Sequence, residues 1–229
     1  MIETINNNSV DWNRYIHGDA FDLLPKIPDA SVDLILTDPP YGIDYQSNRR
    51  VVWEKLPKFK GDRDLGWLTV FVDEAHRVLA NNRHLYCFCR WDTYPLFKAA
   101  IERRFRIKNA LVWIKNNHGS GDLVGAYAPQ YEMVIFASKG KRKLNGQRHP
   151  DILKYATVSS QVRRHPVQKP VDLLEFLIEK STKQDEIVLD PFAGVGSTAI
   201  AARNVGRKYL AIEIDDQFFR EGLQLFGNT

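Results

Sequence analysis

The chain has 229 residues, 44% of them hydrophobic and 26% charged, with a formal net charge of +4 and a sequence pI near 9.0. That length and apolar content exclude intrinsic disorder and suffice for one large core, predicting a single domain over residues 1–229 with insertions. The mild positive excess is compatible with a polyanionic partner, and the lack of an apolar N-terminal segment or of any apolar run near about 18 residues predicts a cytoplasmic protein with no membrane partner.

Taken in order, Tyr15 to Asp19 predicts a short strand ending in a Gly18-Asp19 turn, then a helix from Ala20 to Leu24 that Pro25 stops. Val32 to Thr37 is an apolar, β-branched run of the kind buried on both faces of a sheet, and Pro39-Pro40 ends it abruptly. Residues 46–66 are polar, basic and aromatic without a period, and read as a long loop or lid. Leu68, Phe71, Val72, Ala75, Val78 and Leu79 form a helix stripe that Asn81-Asn82 ends. His84 to Cys89 reads as a strand and Tyr94 to Phe105 as a helix. Asn109 to Ile114 and Tyr131 to Ala137 read as strands around the Gly-rich loop Asn116 to Gly125. Residues 139–164 have weak periodicity and dense positive charge. A helix follows from Pro170 to Lys183, then a strand from Ile187 to Asp190, a helix from Ser197 or Thr198 to Asn204, and a strand from Tyr209 to Ile214. Seven strands alternating with helices predict an α/β fold, a mostly parallel sheet with helices on both faces.

Cys87 and Cys89 point to the same side of a strand, too close for an ordinary disulfide, and no second Cys/His pair has metal-ligand spacing. A buried reduced pair and no metal are expected. Trp113 is expected in the core.

Two stretches carry chemistry. At Asp38-Pro39-Pro40-Tyr41 a carboxylate and an aromatic ring project from a loop whose prolines fix φ and remove two competing amides. Strand ends of this kind are where ligands sit in open α/β sheets. The second stretch is a strand, Asp190, Gly194-x-Gly196 and a helix, followed by Glu213 at the end of the next strand. Glycines permit close approach of a ligand, the helix start offers free amides, and an acid at that spacing suits ribose hydroxyls. The third glycine of the dinucleotide fingerprint and the Lys-Ser/Thr of a P-loop are missing, so NAD and ATP fit poorly. A phosphate-free adenosine ligand, such as S-adenosylmethionine, fits better.

Thr37-Asp38-Pro39-Pro40-Tyr41-Gly42, followed much later by Asp190-Pro191-Phe192-Ala193-Gly194-Val195-Gly196-Ser197, resembles the S-adenosylmethionine-dependent amino methyltransferases of DNA. The order of the two motifs resembles their beta class, a circularly rearranged form, and His165 to Pro170 resembles the segment upstream of the glycine loop. The resemblance implies a seven-stranded, Rossmann-like methyltransferase sheet and a flipped-out base in double-stranded DNA. It implies that Asp38 and the Pro39 carbonyl bind the exocyclic amine, that Tyr41 stacks on the base, and that Pro40 shapes the loop. It further implies that Asp19, Ala20, Asp38, Lys169, Asp190, Phe192, Ala193, Gly194, Gly196, Ser197, Glu213 and Ile214 surround the cofactor. Asp190 is balanced between cofactor contact and loop support. Aspartate in the first motif position resembles adenine-N6 enzymes more than cytosine-N4 enzymes. Cytosine-N4 methylation, an RNA amino group and an idle DNA-binding relative stay open as alternatives. Residues 139–164 become a small target-recognition segment and 46–66 a lid or DNA loop. Arg49, Arg50, Lys141, Arg142, Lys143, Arg163 and Arg164 are expected on phosphates. A homodimer and a cognate restriction endonuclease fit as further partners.

Overall fold

Apolar strands and amphipathic helices build a mixed sheet covered on both faces, described in a computed structural model over residues 5–6, 9–41, 66–119, 124–158 and 168–227. A small antiparallel pair, β1 (Ile5–Asn6) and β2 (Ser9–Val10), precedes β3 (Arg14–His17) and the short helix α1 (Ala20–Leu23). Then come β4 (Val32–Thr37), α2 (Gly66–Val78), β5 (Leu79–Cys89), α3 (Tyr94–Glu102), β6 (Arg106–Ile114), β7 (Tyr131–Lys139) and β8 (Ile152–Lys154). The last third contributes α4 (Val171–Ser181), β9 (Ile187–Asp190), α5 (Ser197–Asn204), β10 (Lys208–Glu213) and α6 (Asp216–Gly227).

The main sheet has eight strands in the order β3-β10-β9-β4-β5-β7-β6-β8. From β3 to β5 all pairs are parallel, β7 runs antiparallel between β5 and β6, and β8 lies parallel to β6 at the edge. This is the Rossmann-like α/β fold expected, with one strand beyond the seven counted. The extra strand, β8, has three residues inside the basic segment, too few to show an alternation of their own.

β4 is central, and its apolar side chains are buried on both sides. One apolar layer joins it to α1, α2 and α3 through Leu23, Leu68, Phe71, Val72 and Phe97. The other joins it to α4 and α5 through Leu173, Leu174, Leu177, Ile178 and Ala199. Cys87 and Cys89 are free and buried in the first layer, and Trp113 is buried in the second, as expected of core residues.

The structure departs from the sequence reading at the start of β5 and at α6. β5 begins at Leu79, because Leu79 already pairs with Val32, and Asn81-Asn82 fall within the strand, with Asn82 at φ 59°. The lid segment 46–66 lies outside the described residues except for Gly66, which opens α2. α6 was not anticipated, since Gly222 inside it lowers helix propensity. The glycine is there because an added Cβ would meet the Tyr15 ring at 2.5 Å.

His84 is a buried titratable group, its Nδ1 2.9 Å from the Ser181 hydroxyl and its ring edge-on to Phe136. Burial pushes its pKa down from 6.5 to about 4. The folded state therefore prefers the neutral ring, so its stability contribution is complete above about pH 6.5 and is lost as pH falls toward about 4. Urea midpoints measured from about pH 7 to about pH 4.5 should decline, and His84→Gln should flatten that decline.

Candidate active site

The site forms because β4 and β9 are neighbours: Leu34 pairs with Val188 and Ile35 with Leu189, so both strands end at the same edge. There the Thr37 hydroxyl donates to Asp190 Oδ1 over 2.8 Å, joining residues 153 apart in sequence. The loop bearing Asp38 and the glycine turn thus share one edge. Asp190 also accepts from the Phe192 amide at 3.1 Å and from Thr198, which makes it a brace of the turn. Burial, opposed by these hydrogen bonds, raises its carboxyl from 3.8 to about 6.

The turn is held from two more sides at Gly194. Its amide donates to Glu213 Oε2 at 2.7 Å, and its carbonyl accepts from the Tyr15 hydroxyl. Glu213 is buried at the end of β10, and its other oxygen accepts the Asp215 amide at 2.8 Å. Gly194 has φ 55°, and a Cβ built on it would meet nothing within 4 Å, so open space lies over the turn. Gly196, at φ 79°, caps α5, and Ser197 starts that helix beneath the turn. Ala193 is buried, its amide bonded to the Ile212 carbonyl at 2.9 Å. Half-buried Phe192 lies edge-on to Trp67 and Phe71, 5.9 and 5.4 Å between centroids, and near Phe21. Asp19 caps α1 by accepting the Phe21 amide at 2.9 Å, Ala20 is buried behind it, and the Gly18 amide donates to the Glu213 carbonyl at 2.8 Å. Ile214 is partly exposed at the end of β10.

On the β4 side, Pro39 is buried and Pro40 half-buried. The Tyr41 ring lies edge-on to Phe97, and its hydroxyl donates to Asp38 Oδ1. Burial and the adjoining Asp38 carboxylate hold the Tyr41 hydroxyl protonated, its pKa well above the ordinary phenol value. Asp38 Oδ2 meets Lys169 Nζ at 2.5 Å. Lys169 continues to Glu132 Oε2 at 2.9 Å, and Glu132 Oε1 takes Lys115 Nζ at 2.5 Å. Lys169 sits over the Phe88 ring and Lys115 over the Trp113 ring, each 5.0 Å from the centroid. The structure thus places Lys169 on the Asp38 carboxylate. Glu132, Lys115, Thr37 and Tyr15 were missed, although an acid inside the apolar run Tyr131 to Ala137 is a visible anomaly in a strand buried on both faces.

Lys141, Arg142 and Lys143, expected on phosphates, do not lie beside Asp38. β7 runs antiparallel to β5, with Cys89 opposite Met133 and Arg83 opposite Lys139, so these residues follow the strand at the edge away from Asp38. Arg142 pairs there with Glu186 at 2.9 Å, its side chain 11% exposed, and the Lys141 amide donates to Asn82. Residues 139–158 therefore start at that far edge and return through β8. Arg49, Arg50, Arg163 and Arg164 lie outside the described residues.

The carboxylates Asp19, Asp38, Asp190, Glu213 and Asp215 gather at one edge, an environment that repels phosphate and suits a cation carrying ribose hydroxyls. Residues 32–224 match the DNA methylase family of N6 and N4 methyltransferases. The chain belongs to that family. This DNA methylase is 35% identical over 214 residues to a protein of Escherichia coli named as the putative methylase YubD, covering 93% of the chain and 89% of that protein. It is 30% identical over 242 residues to the DNA adenine methyltransferase YhdJ of Escherichia coli, covering 91% and 81%. The crystal structure of the M1.HpyAVI-SAM complex superposes with a TM-score of 0.69 at 25% identity, covering 92% of this chain and 97% of that one.

The ammonium of Lys169, with 7% of its side chain exposed, holds two carboxylates together in a dry edge of the methylase. Lys169→Met should cost about 3–5 kcal/mol in urea unfolding, because both acids are left buried without their shared cation. A loss below about 1 kcal/mol would class the pair with solvated surface contacts.

Proposed function

We propose that this DNA methylase transfers a methyl group from S-adenosylmethionine to the N6 amine of adenine rotated out of double-stranded DNA. The observation that supports the reading is the Thr37 to Asp190 hydrogen bond, which brings the Asp38 loop and the glycine turn to one edge of the sheet. Glu213 is the acid for the ribose hydroxyls, with Asp19 and Ala20 beside it at the end of β3 and Ile214 at the end of β10. The turn Phe192 to Ser197 supplies backbone contacts and an aromatic wall. S-adenosylmethionine brings a methyl already activated by a positive sulfur, so the chain needs no covalent nucleophile.

The work left to the protein is on the amine, which is conjugated with its ring and a weak nucleophile. Asp38 accepts one N–H, since an ionised carboxylate keeps lone pairs beyond those used by Tyr41 and Lys169. The Pro39 carbonyl accepts the other, with no proline amide nearby to compete. Fixing both protons on acceptors moves lone-pair density onto nitrogen; the new N–C bond would form as the methyl–sulfur bond breaks with its electron pair going to sulfur, one amine proton would leave along the hydrogen bond to Asp38, and rate then comes from positioning and electrostatics. Tyr41 is the face on which the base stacks, returning roughly 1–3 kcal/mol against an extraction cost of a few. Arg49, Arg50, Arg163 and Arg164 are the phosphate contacts that remain in this reading. A cytoplasmic, homodimeric enzyme with a cognate restriction endonuclease goes with the short segment between β7 and α4, which leaves one copy few residues for reading sequence.

Labelled methyl should pass from S-adenosylmethionine to unmethylated duplex DNA and be recovered as N6-methyladenine after digestion. Asp38→Asn, which keeps the shape of the side chain, should lower kcat by roughly 10²–10³-fold while S-adenosylmethionine still binds; wild-type rates in that variant would remove Asp38 from the chemistry. Binding of a cation favours the ionised form of Asp190, whose carboxyl sits at about 6 in the free protein, so affinity should fall as pH drops through about 6. Calorimetric titrations across that range check it, and Asp190→Asn should abolish the step.

A further inference from the structure

The geometry points to Glu132 as a positioning residue for methyl transfer, acting on the Asp38 carboxylate through the Lys169 ammonium; the inference rests on the methyltransferase reading above. Lys169 Nζ lies 2.5 Å from Asp38 Oδ2 and 2.9 Å from Glu132 Oε2. An ammonium on a four-carbon stem is a mobile point charge, and a single partner does not fix it. Lys169 emerges from an irregular stretch just before α4, whereas Glu132 belongs to β7, where it pairs with Trp113 of β6, next to the Met133 that pairs with Cys89 of β5. Glu132 is itself pinned from the next strand: it lies opposite Trp113 on β6, and Lys115 over that ring reaches its second oxygen at 2.5 Å. A line of alternating charges thus runs from the sheet to the catalytic loop, Lys115, Glu132, Lys169, Asp38, and ends on the Tyr41 hydroxyl.

Two consequences follow for the amine. Orientation comes first: with Glu132 in place the ammonium is held between two carboxylates, and Asp38 Oδ2 is held with it, leaving the direction of its remaining lone pairs set by the sheet. Charge comes second: Lys115, Glu132, Lys169 and Asp38 together carry two cations and two anions, so the line is balanced and Asp38 keeps its strength as an acceptor. Without Glu132 two cations would stand against the Asp38 carboxylate alone and draw down its strength as an acceptor. Burial pushes the Glu132 carboxyl up, but Lys169 and Lys115 overcome it and hold the group ionised below the ordinary range.

The test is steady-state methyl transfer from labelled S-adenosylmethionine to unmethylated duplex DNA by the full chain, with wild type, Glu132→Gln, Lys169→Gln and the double variant. Glu132→Gln should lower kcat by on the order of 10²-fold, the size of effect that a small misplacement of a reacting group produces. KM for both substrates should change by less than about threefold. In the Lys169→Gln background the same substitution should have almost no further effect, since its route to Asp38 is gone. Should Glu132→Gln lose its cooperative unfolding transition, the charge-balanced Glu132→Gln/Lys115→Gln variant carries the measurement, with the same fall in kcat expected. An unchanged kcat, a loss confined to KM, or an equal loss in both backgrounds would overturn the role. Absence of transfer by the wild type would instead overturn the methyltransferase reading, and the inference with it.

Discussion

A buried hydroxyl-to-carboxylate hydrogen bond, Thr37 to Asp190, is the constraint on which the site depends. It crosses between two parallel strands that the chain lays down far apart, and it fixes the register at which their ends meet. A buried carboxylate is costly unless its oxygens are satisfied, and Asp190 is satisfied by groups from both sides of the site: Thr37 from β4, the Phe192 amide from the turn and Thr198 from α5. Displacing either loop would strand that carboxylate. The same atoms that stabilise the edge therefore also hold the Asp38 loop and the glycine turn side by side.

Around this bond the protein concentrates negative charge where a smaller count would be easier to fold. Asp38, Asp190, Glu213 and Asp215 lie along one edge, and the charge is managed in two ways. On the turn side, backbone amides of Phe192, Gly194 and Asp215 do the work, which leaves the pocket acidic toward whatever enters. On the β4 side the partners are charged: Lys169 and Lys115 interleave with Asp38 and Glu132. Buried ion pairs of this kind contribute less to stability than apolar replacements would, so their presence reads more naturally as a demand of the chemistry.

The Tyr15 contact shows how far such a site reaches into the fold. Its hydroxyl supports the Gly194 carbonyl, and its ring stacks on Phe226 and lies tilted against Phe219 of α6. That ring also occupies the room that a side chain at position 222 would need. A glycine in the middle of α6, which weakens the helix as a local sequence, is thus the condition for packing the helix under the turn.

Local sequence settled the parts whose physics is local. The β-branched run Val32 to Thr37, the stripe on α2, the proline pair and the glycines of the turn each impose their conformation within a few residues. Asp38 and Glu213 could be read as chemical groups because each stands at the end of such an element. What the sequence did not contain was the pairing order. That order made β7 antiparallel, and so carried Lys141, Arg142 and Lys143 to the edge away from Asp38 and Glu132 to the edge beside it. It likewise assigned Lys169 to Asp38 across 131 residues. Spacing along a chain specifies turns and faces, whereas contacts between distant side chains are fixed only when strands choose neighbours and directions, and that choice is made by burying both faces of the whole sheet at once.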